Sequence, residues 1–124
     1  MTRQELIAHC LGFADAYEDY PFNEDPDDKE AWTVMRHREN KKSFAFIFER
    51  GELLVNLKCE PLTAEFLREQ YPDVTPAYHM NKRHWNTVRL QGSLPEDVLL
   101  GMIEDSWLLT RPKTAGKKPR EDET

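Results

Sequence analysis

One short segment decides the fold, and it reads Ser43-Phe44-Ala45-Phe46-Ile47-Phe48-Glu49. Aromatic and β-branched residues favour extended structure, so the segment predicts a β-strand. Its three phenylalanines are expected on one side of the strand, with Ala45 and Ile47 on the other. Because both sides are apolar, we expect this strand to lie centrally in a sheet.

Two further extended segments flank this strand. Residues 31–38 have a mixed pattern and are expected near an edge of the sheet. In the polar turn that follows them, Lys41 and Lys42 suit an exposed hairpin tip. After a second turn, apolar residues alternate with others over residues 53–58. The sequence therefore predicts three adjacent antiparallel strands joined by short turns.

Helices are predicted before and after these strands along the chain. Thr2 and Glu5 form a capping box that begins a first helix, and apolar residues at helical spacing carry it to about Tyr17. Residues 93–96 have the pattern of a second capping box, followed by an amphipathic helix that ends before Pro112. This last helix is expected to cover one face of the sheet.

Another helix is predicted from Pro61, because proline suits the first helical turn. The helix is expected to bury Leu62, Phe66 and Leu67 and to expose Glu65, Arg68 and Glu69. Tyr71-Pro72 ends it, and an extended segment leads to a short strand over residues 86–90. The predicted element order is α-β-β-β-α-(β)-β-α, with the bracketed strand in the extended segment.

The 124 residues are 39% hydrophobic and 32% charged, which is typical of one globular domain. We assign that domain to residues 1–110 and expect a disordered, charged tail over residues 111–124. No apolar segment reaches the roughly 20 residues that cross a bilayer, and the signal-peptide pattern is absent, so we expect a cytoplasmic protein. Cys10 and Cys59 are expected to be reduced, the first buried and the second partly exposed.

Residues 77–88 contain most of the side chains suited to binding a partner. Lys82 and Arg83 suit phosphate contacts, and Trp85 suits stacking on an unpaired base or wedging in a groove. The two asparagines of this stretch have the amide geometry that reads adenine. With cations from neighbouring segments, the candidate DNA-binding residues are Lys82, Arg83, His84, Trp85, Asn81, Asn86, Lys58, Arg89, Lys41 and Lys42.

Two other interpretations of this stretch are open. Asn81, His84 and Trp85 are equally suited to stabilising the loop itself, through backbone hydrogen bonds and packing. His79 and His84 are candidate general bases, but no nucleophile elbow or phosphate-binding glycine loop accompanies them. Neither an enzyme nor a cofactor is therefore expected.

Residues 15–30 are strongly acidic and contain a single lysine. Carboxylates suit calcium or iron, but the spacing of an EF-hand is absent. A solvated acidic loop is therefore the favoured interpretation, and no metal site is expected. The whole chain has a net charge of -6, so a DNA-binding role requires its cations to gather on one face.

The chain contains the segment His79-Met80-Asn81-Lys82-Arg83-His84-Trp85-Asn86-Thr87-Val88. This segment resembles the signature of the MmcQ/YjbR family of DNA-binding proteins. The resemblance extends to two further segments, Asn56-Leu57-Lys58-Cys59-Glu60-Pro61 and Ser106-Trp107-Leu108-Leu109. It implies an α+β fold of the CyaY-like type, with an antiparallel sheet covered by helices. This fold is likened to the double-wing DNA-binding domain of a phage transcription factor, in which hairpins act as wings.

The resemblance implies DNA binding, and the frataxin-like relatives of the fold imply metal binding by acidic residues near the first helix. We therefore predict a non-enzymatic, monomeric DNA-binding protein that contacts phosphates through a basic loop and has no membrane association. Two alternatives stay open. One is a protein-interaction domain that uses the same loop, and the other is a frataxin-like metal-binding protein that uses residues 15–30.

Overall fold

The computed structural model describes residues 1–22, 32–77 and 80–113. It has an α+β fold, as predicted. Its elements are α1 (Arg3–Leu11), β1 (Ala16–Asp19), β2 (Thr33–His37), β3 (Ser43–Glu49), β4 (Leu53–Lys58), α2 (Pro61–Gln70), β5 (Val74–Pro76), β6 (Trp85–Arg89) and α3 (Glu96–Thr110). Residues 23–30 of the acidic segment and the tail from residue 114 lie outside the described residues. No helix in the described ranges is long and apolar enough to span a membrane.

The six strands form one antiparallel sheet in the order β1-β2-β3-β4-β6-β5. The central position of β3 and the consecutive pairing of β2, β3 and β4 are confirmed. The expectation that the first predicted strand lies near an edge is confirmed, because β2 is the neighbour of the edge strand β1.

The first helix is shorter than predicted, and β1 takes the residues that follow it. The capping box is confirmed, since Thr2 Oγ1 accepts from the backbone of Glu5 and Glu5 Oε1 accepts from the backbone of Thr2. Gly12 caps the helix after Leu11, and Asp15 has a φ of 57°. Glycine disfavours helix continuation and a left-handed residue stops it, so the prediction of a helix to Tyr17 is wrong.

The three helices of the described ranges pack on the same face of the sheet. The third helix lies over β3 and β4, the first beside β1 and β2, and the second beside β5. The apolar core between the helices and the sheet includes Leu6, Met35, Ala45, Ile47, Val55, Val88 and Ile103, all fully buried. Each large apolar side chain among them contributes about 1.5–3 kcal/mol through removal from water, so this core holds the helices in place.

A β-bulge at Phe44 changes the predicted sidedness of β3. Met35 pairs with Ala45 but Arg36 pairs with Ser43, so Phe44 has no partner on β2. Two consecutive residues of a bulge point to one side, and Phe44 joins Ala45 in the helix-covered core. The prediction that the three phenylalanines share one side is therefore wrong for Phe44.

The rotation of α2 about its axis also differs from the prediction. Ala64 and Leu67 face the sheet, whereas Leu62 is 82% exposed and Phe66 is 57% exposed. Arg68, expected to point outward, turns inward instead. The predicted buried stripe is therefore wrong for Leu62 and Phe66, and only Leu67 lies where expected.

The third helix begins later than its predicted capping box. Pro95 occupies the N-cap position, and no side chain caps the helix there. Ser93 instead donates to Asp73 Oδ2 at 3.4 Å, and the backbone N–H of Leu94 donates to the same oxygen at 2.8 Å. The predicted box over residues 93–96 is therefore wrong, while the end of the helix before Pro112 is confirmed.

Candidate nucleic-acid interface

Several cations meet at one end of the sheet. The turn between β2 and β3, the end of β4 and the loop before β6 all leave the sheet there, because Arg36 pairs with Ser43 and Lys58 pairs with Trp85. We call this region the basic end and define it by Lys41, Lys42, Lys58, Lys82 and Arg83. The register of four strands thus brings together residues that three separate segments supply.

The loop over residues 80–84 is built by its own backbone and amide groups. Asn81 Oδ1 accepts from the N–H of Arg83 at 2.9 Å, and the carbonyl of Asn81 accepts from the N–H of His84 at 3.2 Å. The carbonyl of His84 accepts from the N–H of Cys59 at 2.8 Å. Asn81 and the His84 backbone therefore shape the loop. His79 lies outside the described residues.

Arg68 anchors this loop to α2, a role that the sequence did not indicate. Its Nε donates to Asn86 Oδ1 at 2.6 Å, and its Nη2 donates to the carbonyls of Lys82 and Trp85. These partners lie 14 to 18 residues farther along the chain. No local periodicity could have indicated such contacts, since they depend on how α2 and β6 meet.

Asn86 is an internal structural residue. Its side chain is fully buried, and besides accepting from Arg68 it donates through Nδ2 to the carbonyl of Ala64 at 3.4 Å. A base edge cannot reach an amide in this position. The adenine-reading role predicted for Asn86 is therefore wrong.

The predicted cations are engaged to different degrees. Lys82 Nζ donates to the carbonyl of Ala77 at 2.9 Å, which fixes the side chain but leaves its charge without a carboxylate in the described ranges. Arg83 is exposed, and among the described residues its guanidinium has no ion pair. Lys58 is partly exposed and likewise lacks a carboxylate partner there.

Arg89 lies at the opposite end of β6 and does not belong to the basic end. Its Nε donates to both carboxylate oxygens of Glu52, at 2.9 and 3.1 Å, and its Nη1 lies 3.4 Å from Asp73 Oδ1. The hydrogen bonds to Glu52 raise the pKa of the Arg89 guanidinium. This arginine is therefore neutralised within the fold rather than extending the positive surface.

The hairpin tip brings two lysines beside the end of α3. Asn40 holds the tip in place, because its Nδ2 donates to the carbonyl of Thr110 at 3.0 Å and its Oδ1 accepts from the N–H of Lys42 at 3.0 Å. Lys41 adopts a φ of 62°. A cleft of about 500 Å³ adjoins the tip and is lined by Lys42, Leu108, Leu109, Arg111, Pro112 and Lys113. Arg111 and Lys113, predicted as tail, therefore extend the basic end.

His37, at the end of β2, also links this hairpin to α3. The ring is 1% exposed, and its Nε2 lies 2.8 Å from Thr110 Oγ1. Since Thr110 Oγ1 donates its proton to the carbonyl of Ser106, the ring nitrogen is the donor in this contact. Burial lowers the pKa of His37. The neutral imidazole is thus a structural link between β2 and α3.

The opposite face of the sheet, against which no helix of the described residues packs and which we call the helix-free face, carries a row of aromatic rings. Trp32 stacks on Phe48 with ring centroids 4.0 Å apart and planes 4° apart. Phe46 contacts Trp32 at 6.3 Å and Trp85 at 5.5 Å, the latter with planes 71° apart. Trp85 is half-buried, and its cross-strand partner is Lys58. The row therefore runs toward the basic end.

An acidic cleft borders the basic end on the helix side. Its volume is about 270 Å³, and its lining consists of Cys59, Glu60, Thr63, Asp105, Leu108 and Leu109. Cys59 is 6% exposed, so the expectation of partial exposure is wrong, whereas the expected burial of Cys10 is confirmed. Burial, and next the negative charge of Asp105, raise the pKa of the Cys59 thiol. Among the described residues, no group of three or more His, Cys, Asp or Glu side chains has the geometry to hold a metal ion.

Comparison with known proteins places the chain in a family. The family model described as YjbR matches residues 11–109. The chain is 34% identical over 108 residues to the uncharacterized protein YjbR of Escherichia coli K12, covering 86% of this chain and 85% of that protein. It is 30% identical over 122 residues to the uncharacterized protein YyaQ of Bacillus subtilis, covering 90% and 99%.

Solved structures share the same architecture. A crystal structure of a Pseudomonas syringae protein superposes with a TM-score of 0.77 at 35% identity, covering 90% of this chain and all of that one (100%). A Deinococcus radiodurans protein superposes with a TM-score of 0.74 at 30% identity, covering 87% and 77%. With the sequence signature, the shared six-stranded sheet and these similarities, the chain belongs to the YjbR family.

Proposed function

We propose that this protein binds DNA, as a cytoplasmic monomer and without catalysing a reaction, and that the basic end contacts the phosphates. One observation carries the proposal. Lys41, Lys42, Lys58 and Arg83 come from separate segments and converge at one end of the sheet, where none has a carboxylate partner among the described residues.

The ion pairs of three arginines elsewhere in the fold support this choice of surface. Arg3, Arg36 and Arg89 form ion pairs with Glu49, Asp19 and Glu52. An arginine that already holds a carboxylate gains little from a phosphate, since the two acceptors compete for the same donors. The cations of the basic end face no such competition from the described residues. They are therefore the groups best able to replace the counterions of a phosphate backbone.

The acidic character of the chain makes the direction of approach matter. A net charge of -6 repels a polyanion on average, so binding depends on presenting the basic end first. We therefore expect modest affinity that falls steeply with salt. The two cysteines are buried and without a disulfide, which suits a reducing compartment such as the cytoplasm.

Fluorescence anisotropy with labelled DNA at low and increasing salt tests the proposal. Replacing Arg83 by Ala together with Lys42 by Ala is expected to weaken binding and to reduce the slope of log affinity against log salt by about one for each phosphate that is no longer neutralised. Arg50→Ala is the matched control, because Arg50 is an exposed cation at the opposite end of β3 and β4. Absence of binding at low salt, or an equal weakening in the control, would contradict the proposal.

A protein partner is the second candidate, favoured by Leu62 and Phe66. These two apolar side chains are 82% and 57% exposed on one side of α2, and exposed apolar clusters mark contact surfaces. Replacing both by Ser is expected to remove a cross-linked protein complex while leaving DNA affinity unchanged. A complex that survives the double substitution would rule out this surface.

A further inference from the structure

We infer that the DNA partner is single-stranded and that one unpaired base stacks on Trp85. This inference rests on the proposed function and specifies the form of DNA that the same end of the molecule takes. It is carried by the junction of two features, the aromatic row of the helix-free face and the cations of the basic end.

Trp85 is held in a fixed orientation at that junction. It is the first residue of β6, and Phe46 meets its ring at 5.5 Å with planes 71° apart. Trp85 is half-buried, so part of the residue stays accessible to solvent. Because the ring is fixed before any ligand arrives, stacking a base on it costs little side-chain entropy.

Charge beside the ring completes the site. Lys58 is the cross-strand partner of Trp85, and Arg83 lies two residues before it in the loop. Bases in a single strand are joined through phosphates on both sides, so a stacked base places phosphates near its edges. An aromatic ring between cations is the arrangement that binds single strands without regard to sequence.

Two alternatives to stacking fit the geometry poorly. A wedge between base pairs requires a side chain that protrudes freely, whereas Trp85 is half-buried and Phe46 packs against its ring. Reading adenine in the major groove of a duplex requires an amide group that reaches the base edge. Asn86 is buried, and Asn81 Oδ1 is bonded to the N–H of Arg83. The expected binding therefore tolerates sequence and prefers unpaired bases.

At the other end of the sheet, two arginines are already used in ion pairs within the fold. Trp32 stacks on Phe48 there. Arg3, which donates to Thr33 Oγ1, is paired with Glu49, and Arg89 is paired with Glu52. Phe48 covers one face of the Trp32 ring, and Trp85 is the position where the aromatic row meets the basic end.

The test compares three labelled probes at low salt: an oligothymidylate of about 12 nucleotides, the same strand with abasic residues at its centre, and a duplex of equal length. The oligothymidylate is expected to bind most tightly. Trp85→Leu is expected to weaken its binding roughly 5- to 150-fold and to leave the abasic strand and the duplex nearly unchanged. Trp85→Phe retains a ring and is expected to keep most of the affinity.

Arg83→Ala separates this inference from DNA binding in general, because it removes charge and is expected to weaken all three probes alike. A duplex that binds as tightly as the single strand, or an abasic strand that binds as tightly as the oligothymidylate, would overturn the single-strand inference and leave DNA binding standing. That comparison uses the unaltered protein, so it holds even if Trp85→Leu does not fold. Failure of all three probes to bind would overturn both proposals.

Discussion

Arg68 on α2 donates a hydrogen bond of 2.6 Å from Nε to Oδ1 of Asn86 on β6. The same guanidinium holds the carbonyls of Lys82 and Trp85, so one side chain ties the helix to the strand and to the loop that carries Arg83. The cations of the basic end therefore depend on a residue with a purely internal role. Its removal affects both stability and the shape of the loop.

Replacing Arg68 by Ala is expected to lower the free energy of unfolding by about 1.5–3 kcal/mol, because it leaves the buried Oδ1 of Asn86 without its charged donor. Urea denaturation monitored by circular dichroism measures the change. Glu69→Ala, on the exposed neighbour, serves as control and is expected to stay within about 0.5 kcal/mol of the unaltered protein. Equal effects of the two substitutions would mean that the hydrogen bonds of Arg68 contribute nothing.

The observed rotation of α2 predicts unequal effects for its three large apolar side chains. Leu67→Ala is expected to cost about 2–5 kcal/mol, since this side chain is 9% exposed and packs in the core. Leu62→Ser and Phe66→Ser are expected to change stability by no more than about 0.5 kcal/mol, because both side chains already face solvent. Thermal unfolding of the three variants under one condition decides between this rotation and the stripe expected from the sequence.

Gly92 is required by the close approach of Asp73. A Cβ atom at position 92 would lie 2.2 Å from Asp73 Oδ1. That carboxylate accepts from the N–H of Leu94 and from Arg89, so it cannot move without breaking these hydrogen bonds. Gly92→Ala is therefore expected to destabilise the protein by about 1–3 kcal/mol.

Gly101 provides the opposite case and the control. It lies within α3, and a Cβ atom there meets nothing within 4 Å. Because alanine favours helix over glycine, Gly101→Ala is expected to stabilise the protein by about 0.5–1 kcal/mol. Denaturation midpoints of Gly92→Ala and Gly101→Ala that shift in opposite directions would support the close contact at Gly92 and the open space at Gly101. A Gly101→Ala protein less stable than the unaltered one would show that the space at position 101 is not open.

Periodicity predicted the parts of the fold that depend on near neighbours. The extended structure of β3 and β4, the proline that begins α2 and the capping box of Thr2 and Glu5 each depend on a few neighbouring residues, and each is present. The errors concern interactions between residues distant in sequence. β1 forms because its backbone pairs with β2, and Phe44 turns toward the helices because the register shifts opposite Arg36.

The same division applies to the candidate interface. Residue type correctly singled out Arg83 and the hairpin lysines as exposed cations, since lysine and arginine are seldom fully buried. It gave no means of separating Asn81, in the loop, from Asn86, which lies inside the fold. Nor did it separate Arg83 from Arg89. Arg89 pairs with Glu52, which lies 37 residues earlier in the chain and meets Arg89 only in the folded sheet.

His37 makes stability depend on pH. Burial lowers the pKa of its imidazole in the folded protein, while an unfolded chain titrates its histidines near about 6.5. Between these two values the unfolded state binds more protons, so the free energy of unfolding is greatest above about pH 6.5 and falls as the pH drops through the folded pKa. Urea denaturation at about pH 7.5 and about pH 5.5 measures this difference. His37→Gln keeps a side chain able to donate to Thr110 Oγ1 and removes the titration, so its stability should fall less over the same interval. If the two proteins lose stability equally, the link between His37 and α3 does not titrate.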